Sequence, residues 1–496
     1  MSDASAIRAP IEHPDKLYIG GEWVTPSSDA TFAVIEPATE ELYFCVAEAK
    51  APDMARAVAA ARSAFDDGPW PRMAHGQRAE FLDAFARGLE ARTDDFGDIW
   101  PRQSGALYKA ARRSGIGAGR TFSFYSGLAS TYPFEERAAP TAGGKFGLLV
   151  REPVGVVGAI VPWNAPIGLI ANKVAPALLA GCTVVLKASP EAPGEAYVVA
   201  EIAESIGLPP GVLNVVTADR DVSELLVRDP RVDKISFTGS TVAGRKIASI
   251  CGERIARYTL ELGGKSAAVV LDDMDIGAAA ATLASAECIL AGQICSSLTR
   301  VIVTRSRHDE LVEALAAAMR EVTVGDPFAE ETQMGPLAVE RQRDRVLGYI
   351  AKAAAEGATL AAGGGRPAEL DRGWFVEPTV FGDVDNRSTI AQEEIFGPVL
   401  SVIPADDEAH AVELANDTIY GLNASVFTHD VERARQVAAR IRSGTVGHNA
   451  FRTDFGIAFG GFKQSGVGRE GGVEGLLPYL ETKTIILEDT PSAYVV

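Results

Sequence analysis

Two reactive side chains stand out in one stretch of the sequence, 259–300. Glu261 closes a short apolar run, TLEL, and is followed by Gly263 and Gly264. Cys295 sits among small residues in AGQICSSLTR, after an Ala-rich pattern of helical period. A thiol attacks carbonyl carbon, and a carboxylate moves a proton or activates a water. A single connecting segment separates the two, so a cleft between a strand end and a loop can bring them together. Each also has a plainer explanation. A free Cys is often a small buried filler. A carboxylate ending an apolar strand needs a partner, water or a task, because burying it alone is costly.

The elements around them predict how they are positioned. Short apolar runs at 154–161, 183–186, 212–216, 234–237 and 259–262 alternate with helical patterns at 166–179, 193–206, 222–228 and 241–250. This alternation implies right-handed crossovers and a parallel sheet covered on both faces. Ligands then sit beyond the carboxyl ends of the strands. The residues there are Pro162, Trp163, Asn164, Lys187, Thr217, Thr238, Gly239, Ser240 and Glu261. A second alternating region follows from Ala267, with helices expected at 276–291, 307–321, 338–355, 408–415 and 431–441. Its expected strands include FVEPTVF (375–381). Residues 17–48 read as short antiparallel edge strands, and YLETKTIIL near the end as a lone strand suited to pairing with another subunit.

Composition narrows the partners. The 496 residues exceed one ordinary core. Lys and Arg number 47 against 66 Asp and Glu, a net charge of -19, which disfavours nucleic acid and anionic membrane as partners. The five cysteines (45, 182, 251, 288, 295) form no CxxC pair, which fits a reducing cytoplasm and neither a disulfide framework nor a metal site. The six histidines show no ligand spacing. The expectation is no metal, no export signal and no membrane span.

Other motifs stay open when read locally. FTGSTVAG (237–244) joins a strand to a helix, either as a phosphate site or as an N-cap with no ligand. Lys187 can reach phosphate or ribose oxygens, or simply be solvated. Asn164 can donate to a developing oxyanion, or be a turn residue. A literal GxGxxG at Gly466, Gly468 and Gly471 follows no predicted strand, so it reads as a glycine-rich loop near the site and not as a dinucleotide fingerprint.

Six segments together are more specific. PWNAP (162–166), FTGST (237–241), LELGGKS (260–266), GQICSSLTR (292–300), EEIFGPV (393–399) and FGGFKQSGVGRE (459–470) resemble the aldehyde dehydrogenase superfamily in order and spacing. The resemblance covers nearly the whole chain. It implies an α/β fold: a Rossmann-like parallel-sheet cofactor domain (1–130 and 151–262), a second α/β catalytic domain (263–470), and a small β oligomerisation element (131–150 and 471–496). It implies Cys295 as the nucleophile that captures an aldehyde, Asn164 and the Cys295 N–H as the oxyanion hole, and Glu261 as the base for thioester hydrolysis. Lys173 and Glu470 match a supporting polar network.

The same resemblance implies cofactor contacts by Val161, Pro162, Trp163, Asn164 and Lys187. It adds Ser189, Glu191, Gly211 and Phe237, the turn Thr238, Gly239 and Ser240, and then Glu261, Leu262, Gly263 and Cys295. Glu394 and Phe396 complete the set. NAD is the cofactor it implies. NADP stays open, because the family's usual Glu position holds Pro190 here and Glu191 follows one residue later. The implied assembly is a homodimer or homotetramer.

The substrate pocket is expected at Ala165, Ile294, Ser296, Phe451, Arg452, Phe455 and Phe459. Ala165 stands where many relatives carry a bulky aromatic, so the pocket reads as roomy and apolar, suited to a medium-to-large aromatic or terpenoid-like aldehyde. Arg452 is the counter-signal, able to hold the carboxylate of a semialdehyde. A CoA-acylating relative or a catalytically silent relative would lack Glu261 or Cys295, and both are present. A plain thiol hydrolase needs a His partner that the sequence does not offer.

Overall fold

The computed structural model describes residues 9–494, so the outer ends of the segments 1–130 and 471–496 lie outside the described residues. Five parallel strands carry the first sheet: β1 (Val156–Ile160), β2 (Thr183–Ala188), β3 (Leu213–Thr217), β4 (Lys234–Thr238) and β5 (Arg257–Glu261). β1 to β4 are buried along their whole length, which is why they read as continuous apolar runs without alternation. Burying each Val, Leu or Ile side chain in them contributes about 1.5–3 kcal/mol.

The spatial order is β5-β4-β1-β2-β3. The chain steps outward from β1 to β3, then returns to start again at β4 on the other side. The strand order therefore reverses between β1 and β4, and a crevice opens beyond their carboxyl ends at that point. Leu17–Ile19 adds antiparallel to β3 and Glu22–Val24 to Leu17–Ile19, giving the expected antiparallel edge. Residues 31–47 instead form a separate hairpin.

Six helices matter for the site: α1 (Thr93–Ser104), α2 (Ser114–Thr131), α3 (Pro166–Ala180), α4 (Thr241–Glu253), α5 (Ile276–Glu287) and α6 (Glu340–Ala355). A second sheet of seven strands is parallel apart from the edge strand Thr359–Ala362. Its Thr379–Gly382 strand is shorter than the run FVEPTVF suggested. Pro378 has no N–H to give a ladder. The third sheet joins Glu135–Ala138, Phe146–Pro153 and Leu480–Leu487. Its middle strand crosses the expected boundary at 150, and 471–479 lies outside it.

Two further differences bear on the site. The helix expected over 276–291 stops at Glu287, and Leu290 (φ 50°) and Ala291 (φ 53°) turn left-handed before Gly292 (φ 71°). Gly466–Val467, from the far end of the expected catalytic segment, pairs with Leu260 and Glu261 on the first sheet. Only glycine fits at 466, since a Cβ there would lie 2.3 Å from the Leu260 carbonyl oxygen.

Candidate active site

The strand ends converge on one cavity of about 740 Å³. After β1, residues 162–165 lead into α3, which opens with Pro166, a residue suited to a first helical position. After β4, Gly239 and Ser240 lead into α4. Ser240 Oγ accepts from Ala243 N at 3.3 Å, so the hydroxyl caps the helix while Ser240 also lines the cavity. The N-cap reading is therefore right for the hydroxyl, and the turn's N–H groups are what remain for an anion. β5 delivers Glu261 from the adjacent strand, and Cys295 arrives from the opposite side.

The left-handed turn after α5 explains how Cys295 gets there. Gly292 approaches the Gly397 carbonyl so closely that a Cβ would sit 2.4 Å from it. Non-glycine residues held in this conformation cost about 1–3 kcal/mol each and persist only where surroundings fix them. Gln293, which is buried, does the fixing: Nε2 donates to Leu290 O at 2.8 Å and Oε1 accepts from Ala338 N at 2.9 Å. Its main-chain carbonyl accepts from Asn164 Nδ2 at 2.9 Å. One of the two Asn164 amide hydrogens is thus committed, and the second remains for an oxyanion. No main-chain carbonyl among the described residues accepts the Cys295 N–H.

The electrostatics are set by burial and by neighbouring carboxyl groups. Burial pushes the Cys295 thiol up, and Glu394 and Glu261 push it further. Burial likewise holds Glu261 well above the usual carboxylate range, with Glu470 adding to it and Lys173 and Arg469 opposing. Neither Glu261 oxygen has a hydrogen-bond partner within the described chain, so the carboxyl stands free for a proton. Behind it Lys173 pairs with Glu470, both fully buried. The glycine-rich loop packs here as expected, since a Cβ at Gly460 would lie 2.8 Å from Glu261 Oε1. Lys173, Glu470, Glu261 and Cys295 are brought into one constellation.

Most expected cofactor residues follow the crevice. Pro162, Trp163, Thr238, Gly239, Leu262, Glu394 and Phe396 line the cavity, and Trp163 meets Phe396 edge-on at 5.4 Å. Val161 follows the last residue of β1 and Phe237 precedes the last residue of β4, and neither lines the cavity. A Cβ on Gly263 would collide with Glu394, whose half-buried carboxyl is pushed up to about 7 by desolvation. Lys187 is the last residue but one of β2, its ammonium lowered to about 8 by burial. Burial opposes ionisation of Glu191 just beyond it, yet hydrogen bonds from Ser189 and Arg341 hold that carboxyl below its ordinary value. Gly211 is a correction. It precedes β3, at the amino end of the strand, and packs on Ala60 and Ala64, on the far side of the sheet from the crevice.

At the aldehyde end Ala165, Ile294, Ser296, Phe451, Phe455 and Phe459 all line the cavity, with Phe455 stacked on Phe459 at 4.3 Å. Arg452 does not. It is exposed and packs beside Gly447, and the neighbouring Thr453 faces the cavity instead. The sequence patterns also miss several contributors: Trp100 on α1, a face of small residues on α2 (Ser114, Gly117, Ala118, Thr121), and Gln342 and Arg345 on α6. The i,i+3 spacing of Gln342 and Arg345 on an amphipathic helix was the available signal. Gln342 Nε2 donates to Phe396 O at 2.7 Å, and Arg345 to Glu394 O at 2.8 Å.

A thiol, a free buried carboxyl and an amide donor around a cleft at the strand-order reversal meet the requirements of carbonyl chemistry. Residues 23–485 match the aldehyde dehydrogenase family. The chain belongs to that family. Among relatives of this aldehyde dehydrogenase, geranial dehydrogenase of Castellaniella defragrans is 44% identical, over 96% of this chain and 99% of the relative. The 3-succinoylsemialdehyde-pyridine dehydrogenase of a Pseudomonas species is 41% identical, over 95% of this chain and 98% of the relative. The solved Mycobacterium tuberculosis aldehyde dehydrogenase complexed with NAD+ superposes with a TM-score of 0.93 at 44% identity, over 97% of this chain and 99% of that one.

Proposed function

We propose that this aldehyde dehydrogenase oxidises medium-to-large, mainly apolar aldehydes to carboxylic acids with NAD, through a thioester on Cys295. The observation that carries this is the joint placement of Cys295, Asn164 and Glu261 around one cavity walled by Ile294, Phe451, Phe455 and Phe459. The residues fit the cofactor. Thr238 Oγ1 is a buried polar atom at the crevice with no partner among the described residues, and the α4 N-terminus opens beside it. Lys187, Ser189 and Glu191 would hold the adenosine end, and Trp163, Glu394 and Phe396 the nicotinamide end. When bound, NAD supplies the hydride acceptor.

The chain's own residues do the rest. The Cys295 thiol gives up its proton to water in the cavity as Sγ forms a bond to the aldehyde carbon, and the carbonyl oxygen becomes an oxyanion beside Asn164 Nδ2 and the Cys295 N–H. Holding the tetrahedral carbon in place fixes the geometry for hydride loss, which leaves a thioester. Glu261 then takes a proton from water as its oxygen attacks that carbon, and the thiolate leaves. Glu470, paired with Lys173, keeps a second carboxylate next to Glu261 and so raises its basicity.

The semialdehyde alternative loses Arg452. A carboxylate-bearing substrate would instead meet Arg113, exposed at the cavity mouth and without a side-chain partner among the described residues. We also assign homo-oligomer assembly to the third sheet, whose outer strands Glu135–Ala138 and Leu480–Leu487 each pair on one side only. The test is reduced-nicotinamide absorbance with NAD and NADP against apolar, aromatic and semialdehyde substrates, with Cys295→Ala alongside. Apolar aldehydes should be preferred and Cys295→Ala inactive. A clear preference for semialdehydes, lost in Arg113→Ala, would overturn the substrate class.

A further inference from the structure

The loop that carries Asn164 has two main-chain carbonyls in succession, Trp163 O and Asn164 O, that accept no main-chain N–H among the described residues. Both residues are half-buried, and main-chain carbonyls withdrawn from water are paired in nearly all folded proteins. Here both are met from α1. Trp100 Nε1 donates to Asn164 O at 2.9 Å, and Ser104 Oγ donates to Trp163 O at 2.7 Å. The spacing of Trp100 and Ser104, i and i+4, sets both donors on one helix face. Those carbonyls belong to the two peptide planes flanking Asn164 Cα. Fixing both planes fixes the Cα–Cβ direction of Asn164, while its amide is fixed at the far end by Gln293 O. The indole also lines the cavity.

We propose that Trp100 and Ser104 are positioning residues that aim the Asn164 amide at the developing oxyanion. This rests on the aldehyde-oxidation reading of the same cavity. Neither residue touches the reacting atoms in this role; both act through the loop backbone. An oxyanion donor contributes about 10²–10³ in rate, and a misplacement of about 1 Å is enough to lose much of that. Losing one of two anchors should cost a fraction of the full effect.

The experiment is a double-mutant cycle read by the single-turnover rate of aldehyde-dependent NAD reduction. Trp100→Phe keeps a ring against the cavity and removes the N–H, and Ser104→Ala removes the hydroxyl. Each should slow the single-turnover rate about three- to tenfold and leave the KM for NAD unchanged. In an Asn164→Ala background neither should slow it further. An unchanged rate in both single variants would overturn the proposal. So would the same slowing in the Asn164→Ala background, which would make Trp100 and Ser104 a wall and a scaffold only. If Asn164→Ala alone leaves the rate intact, the oxyanion role and this positioning role fall together. Loss of activity in Cys295→Ala would still stand for aldehyde oxidation, so the two failures are distinguishable.

Discussion

Replacing Glu261 by Gln tests the division of labour in the site most sharply. The carboxyl is 2% exposed, and neither oxygen has a hydrogen-bond partner within the described chain. Gln preserves the volume and removes a buried ionisable group crowded by Glu470, so the folded state should be no less stable than wild type. What is lost is proton removal from the hydrolytic water, a contribution of about 10²–10⁴ in rate, or roughly 3–5 kcal/mol of barrier. Because Cys295 and Asn164 are untouched, capture and hydride loss should proceed once. Rapid mixing with aldehyde and NAD should show a burst of one reduced nicotinamide per site, then turnover slowed at least a hundredfold. Mass spectrometry should find the acyl group on Cys295. Steady-state turnover within threefold of wild type, with no adduct, would refute the assignment. Loss of the burst would move Glu261 to a step before the thioester.

Further outcomes follow from the same geometry. Glu261 acts as a base only when ionised, so with its pKa raised by burial the deacylation rate should climb with pH through that raised value and level off above it. Glu261→Gln should flatten the profile, and a wild-type rate independent of pH would contradict the electrostatics. Glu195, buried against Gln103 with one oxygen unpartnered, has a pKa pushed up by burial from 4.5 to about 8. A folded-state value above the unfolded one means stability fully present below the ordinary carboxyl range and lost as pH rises toward 8. Melting temperatures of wild type should fall from pH 5 to pH 8.5 more steeply than those of Glu195→Gln, and parallel slopes would exclude Glu195 as the cause. Arg341→Ala should release Glu191, which then disfavours a 2′-phosphate. The NADP-to-NAD ratio of kcat/KM should drop by about two- to fivefold, the range for a solvent-open charge pair. An unchanged ratio would show that Arg341 is irrelevant to cofactor choice.

The parallel sheet was legible because β1 to β4 are buried on both faces, and such strands write themselves as unbroken apolar runs. The residues beyond their carboxyl ends followed from chain direction alone, which is how Asn164, Gly239 and Glu261 came to be singled out. Gly211, implied by the resemblance alone, went astray because a residue before a strand lies at the opposite edge of the sheet. The helix over 276–291 was over-extended because Leu290 and Ala291 carry no local sign of a left-handed turn. That turn is imposed by Gly397 and by Gln293, which tertiary packing brings close. Arg452 and Thr453 are neighbours in an irregular loop, where no period says which side chain faces inward. Trp100 was invisible because its partner, Asn164, is 64 residues away and neither position forms a motif with the other.

The pairing of Gly466–Val467 with β5 has a consequence for biosynthesis. Leu262 N donates to Ser465 O at 2.8 Å, and Ser465 Oγ donates to Gly263 O across 202 residues of intervening chain. Translation proceeds at about 5–20 residues per second, so this interval takes on the order of ten to forty seconds. For most of that time a nascent chain already holds β1 to β5 and the thiol segment, but lacks the loop that walls in Glu261 and the Glu470 that raises its pKa. The Cys295 segment is thus made before the loop that packs against Glu261. On the proposed mechanism, an aldehyde reacting with the unfinished chain would meet Cys295 while Glu261 still lacks its surroundings, and competence would arrive only with the last tenth of the polypeptide.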